Sequence, residues 1–328
     1  MRKIKSFYSG AITVVACFFI SGSCIAKDLY TLGTSSSRST DDIDIKNIHL
    51  SYINNRREYF WPYEESDNRN IDWGFDYDRY YGKADNIKFV GNHLQGIIGK
   101  AISKSSYVSA RIGLHSLNVP IQDSQDNRLS YEIFTDFGVS KKLNISLGIA
   151  DDFIYQNGIQ PAGVEEFLSA KKGRIALQWR PQDKLHISTK HSLWDMSDDN
   201  TRKQFNADML YGLSTVKSWV WAGIAIEELQ YENDREGYWS PKQFRSFGVV
   251  FESSVPVTDA LSVGLSANWN RIKENNNPAG NGGSIYTGFD YKINSRYILR
   301  AGMSRIISSQ GDSTWAENTY RFSINGAL

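Results

Sequence analysis

Apolar and polar positions alternate with a period of two through most of this chain, interrupted at intervals by turn residues, and that rhythm predicts β-strands. In 259–271, Leu261, Val263, Leu265, Ala267 and Trp269 share one face, while Ser262, Gly264, Ser266, Asn268 and Asn270 share the other. In 284–293, Ile285, Phe289, Tyr291 and Ile293 oppose Ser284, Gly288, Asp290 and Lys292. In 143–152, Leu143, Ile145, Leu147 and Ile149 oppose Asn144, Ser146, Gly148 and Asp152. The stretches 71–78, 107–115, 129–139, 174–180, 185–194, 204–213 and 296–305 behave similarly. Those at 86–101, 217–231 and 244–255 have less regular faces, and 29–36 and 46–53 precede them all. The last stretch, 320–328, sets Tyr320, Phe322, Ile324 and Leu328 against Arg321, Ser323 and Asn325. The count is about sixteen, the even number expected of a single-chain transmembrane antiparallel β-barrel, although fourteen or eighteen also fit.

The connections add an asymmetry. Short ones are expected at 140–142, 181–183, 214–216, 256–258 and 294–295, and longer polar ones at 116–128, 157–171, 195–203, 232–243, 272–283 and 307–313. Short periplasmic turns alternating with long external loops are the habit of outer-membrane barrels. The segment 54–69 is the misfit, since its parity makes it periplasmic yet it is long.

The first residues carry Arg2, Lys3 and Lys5, then an apolar run from Ala11 to Ile20, then small residues to Ala26. This pattern reads as a secretory signal peptide over 1–26, leaving 27–328 as the barrel and placing it in the bacterial outer membrane. Acylation at Cys24 is the alternative, against which Ser21-Gly22-Ser23 lacks a large aliphatic residue. Both cysteines, Cys17 and Cys24, lie in that segment, so a cysteine-held metal and a disulfide are excluded from the rest. Cleavage takes the 37 basic and 36 acidic residues to 34 and 36, a net charge of −2 with no field for nucleic acid. Aromatics make up 13% of the chain, which with a polar average suits strands of which only every second residue faces lipid.

If the apolar face meets lipid, the opposite face lines a wet lumen. Its acidic candidates include Asp72, Asp76, Asp78, Glu132, Asp136, Asp208, Glu252 and Asp290; its basic candidates include Arg111, Arg174, Lys190, Arg300 and Arg321. Tyr107, Phe134, Tyr286 and Trp194 are lumen-side aromatics, whereas Trp73, Trp179, Trp269 and Tyr211 are candidates for an interface girdle. Barrel closure suggests charge pairs across the seam, Asp76 or Asp78 with Arg300 or Arg321; solvated charges are the competing reading. Such a lining suits a polysaccharide, through aromatic faces and hydroxyl-binding side chains, and equally suits a lumen plugged by its own residues.

Covalent chemistry has little support. Ser188, His186 and Lys190 share a strand face, but no Gly-x-Ser-x-Gly or His-Glu-x-x-His pattern occurs. Lumen histidines are more often polar fillers than bases. The expectation is a protein without catalytic residues, cofactor or metal, although Asp- and Asn-rich loops at 64–72 or 195–200 could take calcium unspecifically.

One segment is more specific. Gly237-Tyr238-Trp239-Ser240-Pro241-Lys242-Gln243-Phe244 resembles the Gly-aromatic-aromatic-Ser-Pro-Gln stretch in the C-terminal barrels of bacterial exopolysaccharide export porins. These are the cellulose-secretion outer-membrane subunit and the poly-N-acetylglucosamine export porin. Residues 283–291 with Arg296-Tyr297-Ile298-Leu299 are similar to their late strands, and the likeness spans about 230–306. It implies a sixteen-strand conduit for a biofilm-type polysaccharide, seated among lipid and lipopolysaccharide and fed by an inner-membrane synthase. Those porins carry periplasmic helical repeats before the barrel. Residues 1–328 hold no equivalent, so a separate periplasmic repeat protein is the implied partner. The alternatives are a surface-binding barrel with a closed lumen, an adhesin or phage receptor, and an outer-membrane hydrolase. Tyr238–Pro241 falls in an expected external loop; it reads first as a turn with girdle aromatics and a fixing proline, and second as a glycan contact.

Overall fold

The computed structural model describes residues 27–56, 71–103, 105–120, 123–154, 163–164, 166–214, 218–235, 238–310 and 313–327. The expected signal segment, most of 54–69, Gly237 and Leu328 lie outside the described residues. Sixteen strands follow one another: β1 (Lys27–Ser39), β2 (Ile43–Arg56), β3 (Ile71–Ala84), β4 (Ile87–Ser103), β5 (Ser106–Val119), β6 (Ser124–Ser140), β7 (Leu143–Phe153), β8 (Ser169–Gln182), β9 (Leu185–Met196), β10 (Thr201–Ser214), β11 (Trp219–Tyr231), β12 (Phe244–Pro256), β13 (Leu261–Glu274), β14 (Gly280–Lys292), β15 (Tyr297–Gln310) and β16 (Ser313–Ala327). Each pairs antiparallel with its chain neighbours, and β1 pairs with β16, so the sheet closes without an edge.

Every strand contributes exposed apolar side chains to the outside, from Leu32 on β1 through Leu114, Leu129 and Trp269 to Phe322 on β16. Leu114 is 67% exposed and Leu129 and Trp269 are each 62% exposed, an arrangement that water would not tolerate around a whole barrel and that lipid requires. The expected girdle residues Trp73, Trp179, Trp269 and Tyr211 stand on this surface.

The strands are 11 to 17 residues long, where about 9–11 suffice to cross a bilayer. They therefore overhang it. On β13 the outward apolar row ends at Trp269, and the exposed Arg271 and Lys273 continue the same face. This overhang corrects the expected loop lengths. At the connections expected to be long, 116–128, 195–203, 272–283 and 307–313, the flanking strands run on to within two to five residues of each other, because backbone pairing continues past the point where the outward face turns polar. Left-handed residues stand at five of the hairpins, Asp42 between β1 and β2, Asp85 between β3 and β4, Asp123 between β5 and β6, Asp199 between β9 and β10 and Asn275 between β13 and β14, with φ between 47° and 60°. Asp and Asn tolerate that conformation better than other side chains. The long connections that the structure describes in part are 154–168 and 232–243, both at one end of the barrel; 57–70 lies outside the described residues.

The buried apolar cluster lies inside the end that carries 154–168 and 232–243. Phe153, Ile154, Val164 and Leu168 pack there with Tyr238, Trp239, Phe89, Leu117, Leu229 and Phe244. Among the described residues the apolar core is thus a cap over one mouth and does not run along the barrel axis.

Candidate functional site

The cap is built from the described parts of the two long connections, whose Ile154, Val164, Leu168, Tyr238 and Trp239 are buried. Tyr231 N–H donates to the Pro241 carbonyl at 3.0 Å and Ile154 N–H to that of Leu168 at 3.0 Å, so each loop is closed by backbone bonds at its base. Asn200, fully buried, receives Asn233 N–H on Oδ1 at 2.9 Å and donates through Nδ2 to the Asn233 carbonyl at 2.8 Å. The same Nδ2 donates to the Tyr238 hydroxyl at 2.6 Å, and that hydroxyl donates to Asp198 Oδ2 at 3.0 Å. Burial pushes the Tyr238 phenol above its ordinary pKa, which keeps the proton it donates. Arg235 Nε lies 3.4 Å from Asp198 Oδ2, and Ser240 Oγ accepts Arg235 N–H at 2.7 Å.

This corrects the reading of Tyr238–Pro241 as a girdle turn. Tyr238 is 4% and Ser240 2% exposed, and Trp239 stands edge-on to Phe244 at 5.1 Å while its Nε1 donates to Glu274 Oε2 at 3.3 Å. The turn points into the mouth because Tyr238 and Trp239 find donors, acceptors and apolar faces there. The acid-rich loop at 195–200 uses Asp198 to hold the cap.

Two cavities open inside the barrel next to the cap. The smaller, about 950 Å³, lies between β1–β2 and β14–β16 and is lined by Tyr286, Arg300, Arg321, Glu317 and His49. The larger, about 970 Å³, is lined from β4 round to β13 and includes Glu132, Asp136, Arg174, Lys190, Asp208 and Glu252. Trp239 borders both. Tyr286 lies flat against the wall, its hydroxyl 2.6 Å from where a Cβ on Gly302 would stand and closer still to one on Gly288, so those two glycines make its bed.

The charges form a network along the wall. Arg111 lies 3.7 Å from Asp76 and 3.1 Å from Glu132, and Glu132 meets Arg174 at 2.9 Å, an alternating chain from β3 to β8. The Arg174 guanidinium also covers the Phe134 ring at 4.7 Å. Asp72 accepts the Tyr107 hydroxyl at 3.0 Å, Asp136 accepts Ser146, and Asp290 holds Arg300 at 3.3 Å. Lys172 and Arg202 stack on Trp194 at 4.5 and 4.1 Å.

Two expected groupings do not form. Asp76 meets Arg111, and Asp78 meets His49 at 2.9 Å, not Arg300 or Arg321. β1 and β2 stand between β3 and β16, so those side chains are not seam neighbours. The seam carries Ser37–Glu317 and Thr31–Asn325 hydrogen bonds instead. Ser188 donates to Asp208 at 2.5 Å and not to His186, which dissolves the serine–histidine pairing considered for a hydrolase. Sequence reasoning missed the Lys172–Trp194–Arg202 stack and the grouping of His93, His115 and Asp152, since each joins residues from separate strands. The overhang hairpins were detectable, in the recurring Asp and Asn at their turns.

Comparison with solved structures matches this architecture over nearly the whole chain. A bacterial polysaccharide outer membrane secretin superposes with a TM-score of 0.72 at 9% identity, over 92% of this chain and 99% of that one. The chain has the fold of an outer-membrane barrel. The CymD monoaromatic hydrocarbon channel (TM-score 0.50, 8% identity, 92% of this chain and 88% of that one) and OpdR of Pseudomonas aeruginosa (0.50, 7%, 92% and 96%) are similar more distantly. No family model and no curated protein matches the sequence. The outer-membrane barrel fold accounts for both the lipid-facing belt and the polar interior.

Proposed function

We propose that the protein is an outer-membrane conduit through which a secreted polysaccharide leaves the periplasm, without covalent chemistry. The observation that carries this is the lining of the larger cavity. The half-buried rings of Phe134, Trp194 and Trp219 stand there among Glu132, Arg174, Lys190 and Asp208, whose side chains are reachable from the lumen. Flat rings stack on sugar faces, and carboxylate, guanidinium and ammonium groups bind hydroxyls. The Gly-Tyr-Trp-Ser-Pro stretch and the likeness to the polysaccharide secretin point the same way. The expected partners are a periplasmic repeat protein that delivers the chain and an inner-membrane synthase that drives it.

A second reading, a surface-binding barrel with a closed lumen, is favoured by the cap, whose apolar packing fills the mouth. Planar-bilayer conductance of the refolded protein separates the two, combined with measurement of secreted polysaccharide after gene deletion. Conductance that soluble glycan blocks, with polysaccharide retained by the deletion strain, supports the conduit. A silent barrel whose loss leaves secretion unchanged overturns it and favours the surface binder.

A further inference from the structure

We propose that His93, His115 and Asp152 form a divalent transition-metal site, suited to Zn²⁺, in the wall of the larger cavity. His93 on β4 and His115 on β5 are register partners, and their rings stack at 4.2 Å with planes 9° apart. Asp152 on β7 reaches both, with His115 Nδ1 at 2.5 Å from Oδ1 and His93 Nδ1 at 3.9 Å from Oδ2. The ligand atoms all lie within 4.8 Å of one another.

The surroundings prepare the donors. His93 Nε2 lies 2.7 Å from Ser130 Oγ; a proton on that nitrogen leaves the Nδ1 lone pair facing the carboxylate. His115 is fully buried, with Phe153 edge-on at 5.1 Å, and Asp152 Oδ1 also accepts Phe153 N–H at 2.8 Å. Two imidazoles and a carboxylate are a donor set for zinc, which binds N and O at about 2.0–2.2 Å. The ion takes the place of the proton between His115 and Asp152. The parallel rings close on it by rotation of His93, which is the less buried of the two.

His93 and Asp152 line the larger cavity, so a fourth coordination position faces the lumen and holds water. The ion would tie β4 and β5 to the end of β7, where the chain leaves through Phe153 and Ile154 for the cap. Ser130, His93 and Asp152 also follow the order of a nucleophile, base and acid. Ser130 is 1% exposed and the His93–Asp152 separation is 3.9 Å, which favours the metal over a hydrolase.

The test uses the untagged full chain refolded in detergent and stripped with EDTA. Calorimetric titration with Zn²⁺ and absorbance titration with Co²⁺ should each show saturable binding of one ion per barrel, with the visible bands of a nitrogen–oxygen cobalt site. His93→Gln, His115→Gln and Asp152→Asn should each weaken it at least about tenfold, and Ser130→Ala, which keeps all three ligands, by about 10- to 100-fold. The heat-dependent gel shift of an intact barrel checks folding. If His115→Gln does not fold, His93→Gln and Ser130→Ala carry the comparison. Absence of saturable binding, or equal affinity in these variants, which would assign the ion to His49, His186 or His191, overturns the proposal.

Discussion

Single residues hold the cap and border both cavities. Trp239 borders both cavities and is fixed by Phe244 and Glu274. Trp239→Ala should widen both cavities and raise single-channel conductance, while weakening the cap by about 3 kcal/mol, the usual cost of emptying a large aromatic site. Bilayer recording reads the first effect and amide exchange at Phe244 the second. Tyr238→Phe removes a hydroxyl that serves Asn200 and Asp198 at once. It should cost about 1–3 kcal/mol of cap stability by leaving buried polar groups unpaired, measured as faster exchange at Asn233 with the barrel intact. Neither role is visible in the local sequence. The Gly-Tyr-Trp-Ser-Pro stretch is legible as a motif, but its aromatics could equally have faced lipid, because their partners Asn200 and Glu274 lie 38 and 35 residues away.

At the scale of elements, the hairpins and the charge network obey different rules. The hairpin between β3 and β4 needs Asp85 at a φ of 54°. Asp85→Val should destabilise it by about 1–2 kcal/mol through the Cβ penalty, whereas Asp85→Gly should be close to neutral, as read by denaturant unfolding of the refolded barrel. Glu132 joins Arg111 and Arg174, which are 43% and 38% exposed in their side chains, so water screens the pairs. Glu132→Gln should change stability by about 1 kcal/mol or less and yet shift ion selectivity toward anions, measured as a reversal potential in a salt gradient. The strands themselves were legible because alternation is a local property. Their lengths were not, because a strand that leaves the bilayer keeps its backbone pairing while its outward residues turn polar, as at Arg271 and Lys273.

For the whole molecule, inside and outside are separate solvents. Leu265 faces outward in the middle of the β13 apolar row, and Thr319 lines the smaller cavity. Leu265→Arg should cost about 2–4 kcal/mol or block assembly, while Thr319→Arg should be tolerated and narrow the cavity, with folded yield in membranes as the measurement. A barrel indifferent to both would contradict the lipid-facing belt.

The sequence by itself determined about sixteen strands, their antiparallel order and which side chain of each pair faces out, because period-two patterning is read residue by residue along one strand. Tertiary structure alone decided that Tyr238 and Trp239 fold into the mouth, that Asp78 meets His49 rather than the closing strands, and that His93, His115 and Asp152 converge. Closure and register determine which distant residues share a stretch of wall, and those depend on all sixteen strands at once.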